Sequence, residues 1–127
     1  MAQAKATSSI IPRVLVADNQ PQVRKLLVGQ LKSAGYTVGE AGSGPKTLDV
    51  LRSTRFQVLV LDLDMPGADG FDVLKAVRSE MPHLRVLVIS VRRELLQAAE
   101  WFGAVAAIEK VSAPGLLVKA VGRLMGE

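Results

Sequence analysis

Apolar positions along this chain come in two patterns that alternate. Short uninterrupted runs are followed by stretches in which apolar residues recur every three or four positions. The runs Arg13–Ala17, Tyr36–Glu40, Val58–Leu61, Leu84–Ser90 and Ala104–Glu109 predict strands. Between and after them lie helical stripes: Val23, Leu26, Leu27, Leu31 and Ala34, with Arg24, Lys25 and Lys32 off the stripe; Leu48 and Leu51; Phe71, Leu74 and Val77; Leu95, Leu96 and Ala99; and Leu117, Ala120, Val121 and Leu124. Helix signals agree. Pro21, Pro45 after Ser43 and Gly44, and Pro114 after Ser112 and Ala113 suit first turns, while Gly35 and Gly103 suit helix ends. Helix two is expected to run to about Thr54, and helix four from Arg92 to Phe102.

Strictly alternating strands and helices imply a parallel sheet with right-handed crossovers and helices on both faces. The run Val58, Leu59, Val60, Leu61 has no polar alternation, so it reads as a strand buried on both sides, at the centre of that sheet. With 127 residues the chain makes one domain, preceded by a small, polar lead-in over 1–12 that is expected to be flexible.

Composition narrows the chemistry. There is no cysteine and only one histidine, which removes disulfides, thiolate metal sites and histidine clusters. No stretch resembles a secretory signal or a bilayer span, so a cytoplasmic protein without membrane contact is expected. The net charge of +4 is scattered and not interleaved with aromatics, so no direct nucleic-acid face is predicted. Gly39, Gly44, Lys46 and Thr47 do not make a phosphate loop, because Pro45 displaces the lysine and removes an amide donor. No serine lies in a hydrolase elbow.

What remains is acidic. Asp18 follows the first strand and Asp62 the third, and chemistry in open parallel sheets gathers at the carboxyl ends of strands. In the doubly wound order 2-1-3-4-5 these two strands are neighbours, about 4.8 Å apart. Carboxylates that close repel, and a hard divalent cation relieves them; a carboxylate beside such an ion also serves as a nucleophile. On the plainer reading the two acids are simply solvated or cap the following helices.

Asp62 followed by Met65, Pro66, Asp69 and Gly70, Asp18–Asn19–Gln20–Pro21 with Arg24, Ser90 at the end of strand four, and Gly103, Ala104 and Lys110 around strand five stand in an order and spacing that resembles the receiver domain of bacterial two-component response regulators. The likeness runs from Arg13 to about Leu124, within a domain spanning 13–127. It implies a flavodoxin-like (βα)5 fold with strand order 2-1-3-4-5. It also implies that Asp62 accepts a phosphoryl group from a sensor histidine kinase or phosphotransfer protein, with Mg²⁺ held by Asp18, position 19, Asp62 and the backbone carbonyl of Asp64. Lys110 would hold a phosphate oxygen, and the Ser90 hydroxyl would take a hydrogen bond from an amide or give one to the phosphate. Phosphorylation would then shift the face of helix four, strand five and helix five, the usual surface for an output domain, a downstream protein or a second copy. Such a domain is a signalling module rather than an enzyme, and any output domain lies outside these residues.

Three positions depart from the family's pattern. Asn19 stands where a second acid is usual, which lowers the expected Mg²⁺ affinity, although the Asp64 side chain could replace part of the lost charge. Ala107 replaces the switch aromatic, and Val111 the proline after the lysine, which makes a cis bond there improbable. The alternative is therefore a pseudo-receiver, a protein-binding module that works without phosphorylation. Among other residues, His83 reads as a surface turn residue, Trp101 and Phe102 as packing groups, Arg92 and Arg93 as a solvated helix face, and Asp69 as shaping its loop or capping helix three.

Overall fold

The computed structural model describes residues 13–66 and 70–126. Five parallel strands, β1 (Arg13–Ala17), β2 (Thr37–Ala41), β3 (Val58–Asp62), β4 (Arg85–Ser90) and β5 (Ala106–Glu109), form one sheet in the order β2-β1-β3-β4-β5. Five helices alternate with them: α1 (Pro21–Ser33), α2 (Gly44–Ser53), α3 (Gly70–Glu80), α4 (Arg93–Trp101) and α5 (Ala113–Leu124), the last entered through a 3-10 turn, Lys110–Ser112. The expected (βα)5 architecture is the one found. The lead-in over 1–12 and Asp69 lie outside the described residues.

Alternation along the central strands divides the core in two. Leu15, Leu59, Leu61, Val86 and Val88 point to one face and are covered by Leu51, Val73, Leu74, Val77, Leu96 and Ala99 of α2, α3 and α4. Val14, Val16, Val58, Val60, Leu87 and Ile89 point to the other, against Leu27, Val28 and Leu31 of α1 and Leu117 and Val121 of α5. Every residue of β3 is fully buried, because two neighbours pair its edges and helices cover both its faces.

Several boundaries and faces differ from the sequence expectation. Leu26 is half exposed and Val28 is buried, so α1 is turned by about one residue from the predicted stripe. Arg24, expected off that stripe, is largely covered instead, donating to the Asp18 carbonyl at 2.8 Å and pairing with Glu40 at 2.9 Å. Ala34 is the exposed cap of α1 rather than part of its inner face. β5 starts at Ala106 rather than Ala104, and β2 is shifted one residue toward Ala41. Trp101 is 86% exposed and does not pack into the core. Phe102 does find partners, its ring edge-on to Phe71 at 5.4 Å and 5.3 Å from the Lys75 ammonium.

The glycines that close α1 and α4, Gly35 and Gly103, hold φ of +100° and +99°, which L side chains resist. Gly70 serves a different need. A Cβ there would stand 2.6 Å from Leu63 Cα and 3.0 Å from the Asp62 carbonyl oxygen, so α3 begins flush against the strand end that carries Asp62. Gly70→Ala is expected to lower the free energy of unfolding by about 1–3 kcal/mol, read from urea denaturation as a lower midpoint at constant slope.

Candidate functional site

Register brings the acids together. Ala17 of β1 pairs with Leu61 of β3, so Asp18 and Asp62 lie one step further on at the same level. Both are fully buried, which removes the reading of two solvated acids. Each carboxylate divides its work between its two oxygens. Asp18 Oδ1 accepts the Gln20 amide at 2.8 Å and Asp62 Oδ1 the Asp64 amide at 2.9 Å, so each acid folds the turn that follows its own strand. The outward oxygens meet a shared cation: Lys110 Nζ lies 3.0 Å from Asp62 Oδ2 and 3.1 Å from Asp18 Oδ2, with a further 3.3 Å hydrogen bond to Asp18 Oδ1. Lys110 reaches this point because β5 ends beside β4, with Glu109 paired to Ser90. The Lys110–Val111 bond is trans, and the chain turns there into the 3-10 segment.

Two carboxylates and one ammonium leave a formal negative charge in a buried place. Burial pushes Asp62 up from 3.8 to about 6, and repulsion from Asp18 adds to this, while the Asp64 amide and Lys110 pull the other way. Burial also works against the charge on Lys110, but its bonds to Asp62 and Asp18 outweigh that and hold its pKa above the usual lysine value.

The donor set suits a hard cation in part. Asp18 Oδ2 is buried with no hydrogen bond of its own, its contact with Lys110 being an ion pair without hydrogen-bond alignment, so it has lone pairs to offer. Asn19 follows it, half-buried, as a neutral oxygen donor. Among the described residues no group of three acidic, histidine or cysteine side chains could hold a metal ion, and the residue after Asp18 is an amide rather than an acid.

Ser90 ends β4, fully buried. Its oxygen accepts the Arg92 amide at 2.9 Å, and its hydroxyl donates to Asp64 Oδ1 at 3.0 Å. The same Asp64 carboxylate accepts the Val91 amide at 2.8 Å and lies 3.5 Å from the Arg92 guanidinium. Asp64 is thus turned toward the β4–α4 loop. Arg92 and Arg93 are exposed, in keeping with a solvated helix face, and each also meets an acid, Arg92 with Asp64 at 3.5 Å and Arg93 with Glu109 at 2.8 Å. These loop contacts escaped the sequence reading; the only signal was acid and base each two residues past a strand-end polar group, and it means nothing until β3 and β4 are known to be neighbours. Ala107 is half-buried at the edge of the core. His83 is exposed and lines a cavity of about 680 Å³ at the opposite end of the sheet, with Phe56, Met81 and Arg85.

The raised Asp62 pKa fixes the sign of a pH effect. A carboxyl that is harder to ionise folded than unfolded costs nothing below pH 3.8, where both states are protonated, and its full penalty is felt above about pH 6. Relative to Asp62→Asn, the protein should lose stability as pH rises from about 4 to 6 and then hold a constant deficit, on the order of 3 kcal/mol. Thermal melts of both proteins from pH 4 to pH 8 measure it; a difference that does not change across this range would contradict the raised value.

Comparison with known proteins gives the same picture. Residues 14–122 match the family model described as the response regulator receiver domain. The transcriptional activator protein ExaE of Pseudomonas putida is 32% identical over 116 residues, covering 88% of this chain and 54% of that protein, so the chain spans about half its length. The chemotaxis protein CheY of Pseudomonas aeruginosa is 34% identical over 94 residues, 69% of this chain and 76% of that one. Among solved structures, the response regulator TrrA from Thermotoga maritima, in complex with Mg²⁺ and BeF, superposes with a TM-score of 0.83 at 25% identity, covering 90% of this chain and 99% of that one. With a family model matched across all five strands and a sheet in the order 2-1-3-4-5, the chain belongs to the response regulator receiver-domain family.

Proposed function

We propose that this chain is a phosphorylatable receiver in which Asp62 accepts a phosphoryl group from a phosphohistidine on a sensor kinase or phosphotransfer protein. The observation that carries the reading is the buried Asp18–Lys110–Asp62 triad, with the Ser90 hydroxyl one strand away. Packing does not call for it: apolar residues of similar volume in these places would avoid the desolvation of three charges. In the transfer, an Asp62 carboxylate oxygen forms a bond to phosphorus as the P–N bond breaks, and the imidazole leaves with the electron pair. The Asp64 amide orients the carboxylate, and Lys110 offsets negative charge on the arriving oxygens. The Ser90 hydroxyl is the donor at hand for a phosphoryl oxygen. Mg²⁺, held by Asp18, Asp62, the Asn19 amide and the Asp64 backbone carbonyl, would supply further neutralisation of phosphoryl charge when bound.

The output of this reading is a changed surface, not a turned-over substrate. Trp101, Val105 and Val111, exposed by 86%, 58% and 84%, flank α4 and β5 and support docking of an output domain, a downstream protein or a second copy there. No described helix is long and apolar enough to cross a membrane, and a cytoplasmic setting goes with the proposed kinase partner.

A second reading, the pseudo-receiver that binds a partner without phosphorylation, is favoured by the lack of a third acid beside Asp18 and Asp62 among the described residues and by Ala107. Intact mass after incubation with a small acyl phosphate and Mg²⁺ separates the two. The receiver reading expects a gain of one phosphoryl group that disappears in Asp62→Ala and on chelation; no gain at any Mg²⁺ concentration selects the pseudo-receiver. Asn19→Asp restores a charged ligand and is expected to tighten Mg²⁺ binding about tenfold, measured by titration calorimetry; an unchanged affinity would count against a metal pocket at this place.

A further inference from the structure

We propose that Asp64 positions the β4–α4 loop in its resting state by occupying the donors that a phosphoryl group on Asp62 would otherwise draw on, so that phosphorylation acts by displacing it. This rests on the reading of Asp62 as the phosphoryl acceptor. Asp64 stands two residues past Asp62, with its side chain largely buried, and it is tied to Asp62 through its own amide. Its carboxylate takes the Ser90 hydroxyl on Oδ1, the Val91 amide on Oδ2, and the Arg92 guanidinium at 3.5 Å. A hydroxyl, a backbone amide and a guanidinium are the donor types that bind phosphoryl oxygens.

The competition is strict at one atom. The Ser90 hydroxyl has a single proton, and while it is donated to Asp64 it is withheld from a phosphoryl oxygen. Added negative charge on Asp62 also repels the Asp64 carboxylate, in a site that already holds more buried acid than base. Once Asp64 lets go, the Val91 amide and Arg92 lose their anchor, and the start of α4 is freed on that side. On the other side it stays tied, because Arg93 holds Glu109, the residue before Lys110. Movement of the loop therefore reaches the end of β5 through a chain of polar contacts, in a protein where Ala107 offers no ring to carry it.

The test follows the Val91 amide, by proton and nitrogen NMR and by hydrogen exchange, in the whole chain. In Asp64→Asn without any phosphodonor, Val91 should lose the downfield shift of an amide bound to a carboxylate and exchange at least about tenfold faster, while amides of Val60 and Val88 in the core keep their rates. Arg92→Lys should stay close to the parent and Arg92→Gln should fall between the parent and Asp64→Asn. With a small acyl phosphate and Mg²⁺, the parent should move to the Asp64→Asn signature of Val91, and Asp62→Ala should not. An unmoved Val91 in Asp64→Asn overturns the resting contact. A parent that gains a phosphoryl group by mass yet leaves Val91 unmoved overturns the displacement. A parent that gains no phosphoryl group fails at Asp62 and overturns the coupling, whatever the variant shows.

Discussion

One ammonium shared between two buried carboxylates is the interaction on which this molecule depends. Lys110 can neutralise only one of Asp18 and Asp62, and both acids are buried at the carboxyl ends of the two central strands. Burial lifts the Asp62 pKa, the acids hold that of Lys110 up, and the pocket is left short of positive charge. A cation or a phosphoryl group bound with one changes that balance directly. The fold has to hold the three side chains together against their repulsion and desolvation, and it does so with the part of the sheet that is packed most completely.

How the acids are held ties the site to the loops around it. Each carboxylate spends one oxygen on the amide two residues ahead, so the turn after β1 and the turn after β3 are shaped by the same groups that carry the charge. Asp64 extends this arrangement sideways, linking the turn after β3 to Ser90, Val91 and Arg92, and Arg93 links onward to Glu109. Gly70 lets α3 start directly against Leu63, which keeps this region tight from below. Charge at Asp62 and the geometry of three loops are therefore parts of one connected set of hydrogen bonds.

The family's pattern is kept in some places and altered in others, and the two sets differ in kind. Asp18, Asp62, Ser90 and Lys110 sit at strand ends, where the backbone places them whatever the loops do. Asn19 lies in the turn after β1, Ala107 is half-buried in β5 and Val111 is exposed in the 3-10 turn that follows. The trans bond at Val111 and the 3-10 turn that follows still deliver Lys110 to both acids. The alterations thus leave the meeting of these polar groups intact.

Much of this was legible in the residues alone. Apolar runs and three-to-four spacing marked all five strands and five helices, Pro and Gly marked their ends, and Asp18, Asp62, Ser90 and Lys110 stood at predicted strand ends, because local backbone preference and one-dimensional patterning are properties of short segments. Faces of marginal helices were less legible: Leu26 fits the same spacing as Val28, and which of them is buried depends on how α1 docks against the sheet. Trp101, apolar at the end of an amphipathic helix, is left outside because no element of the described chain covers that end of α4. Only the tertiary structure could set Asp18 level with Asp62, bring Lys110 across 92 and 48 residues to meet them, and lay Asp64 against Val91. Those contacts are set by strand order and register, which are long-range outcomes of burying both faces of one sheet, and no short stretch of sequence encodes them.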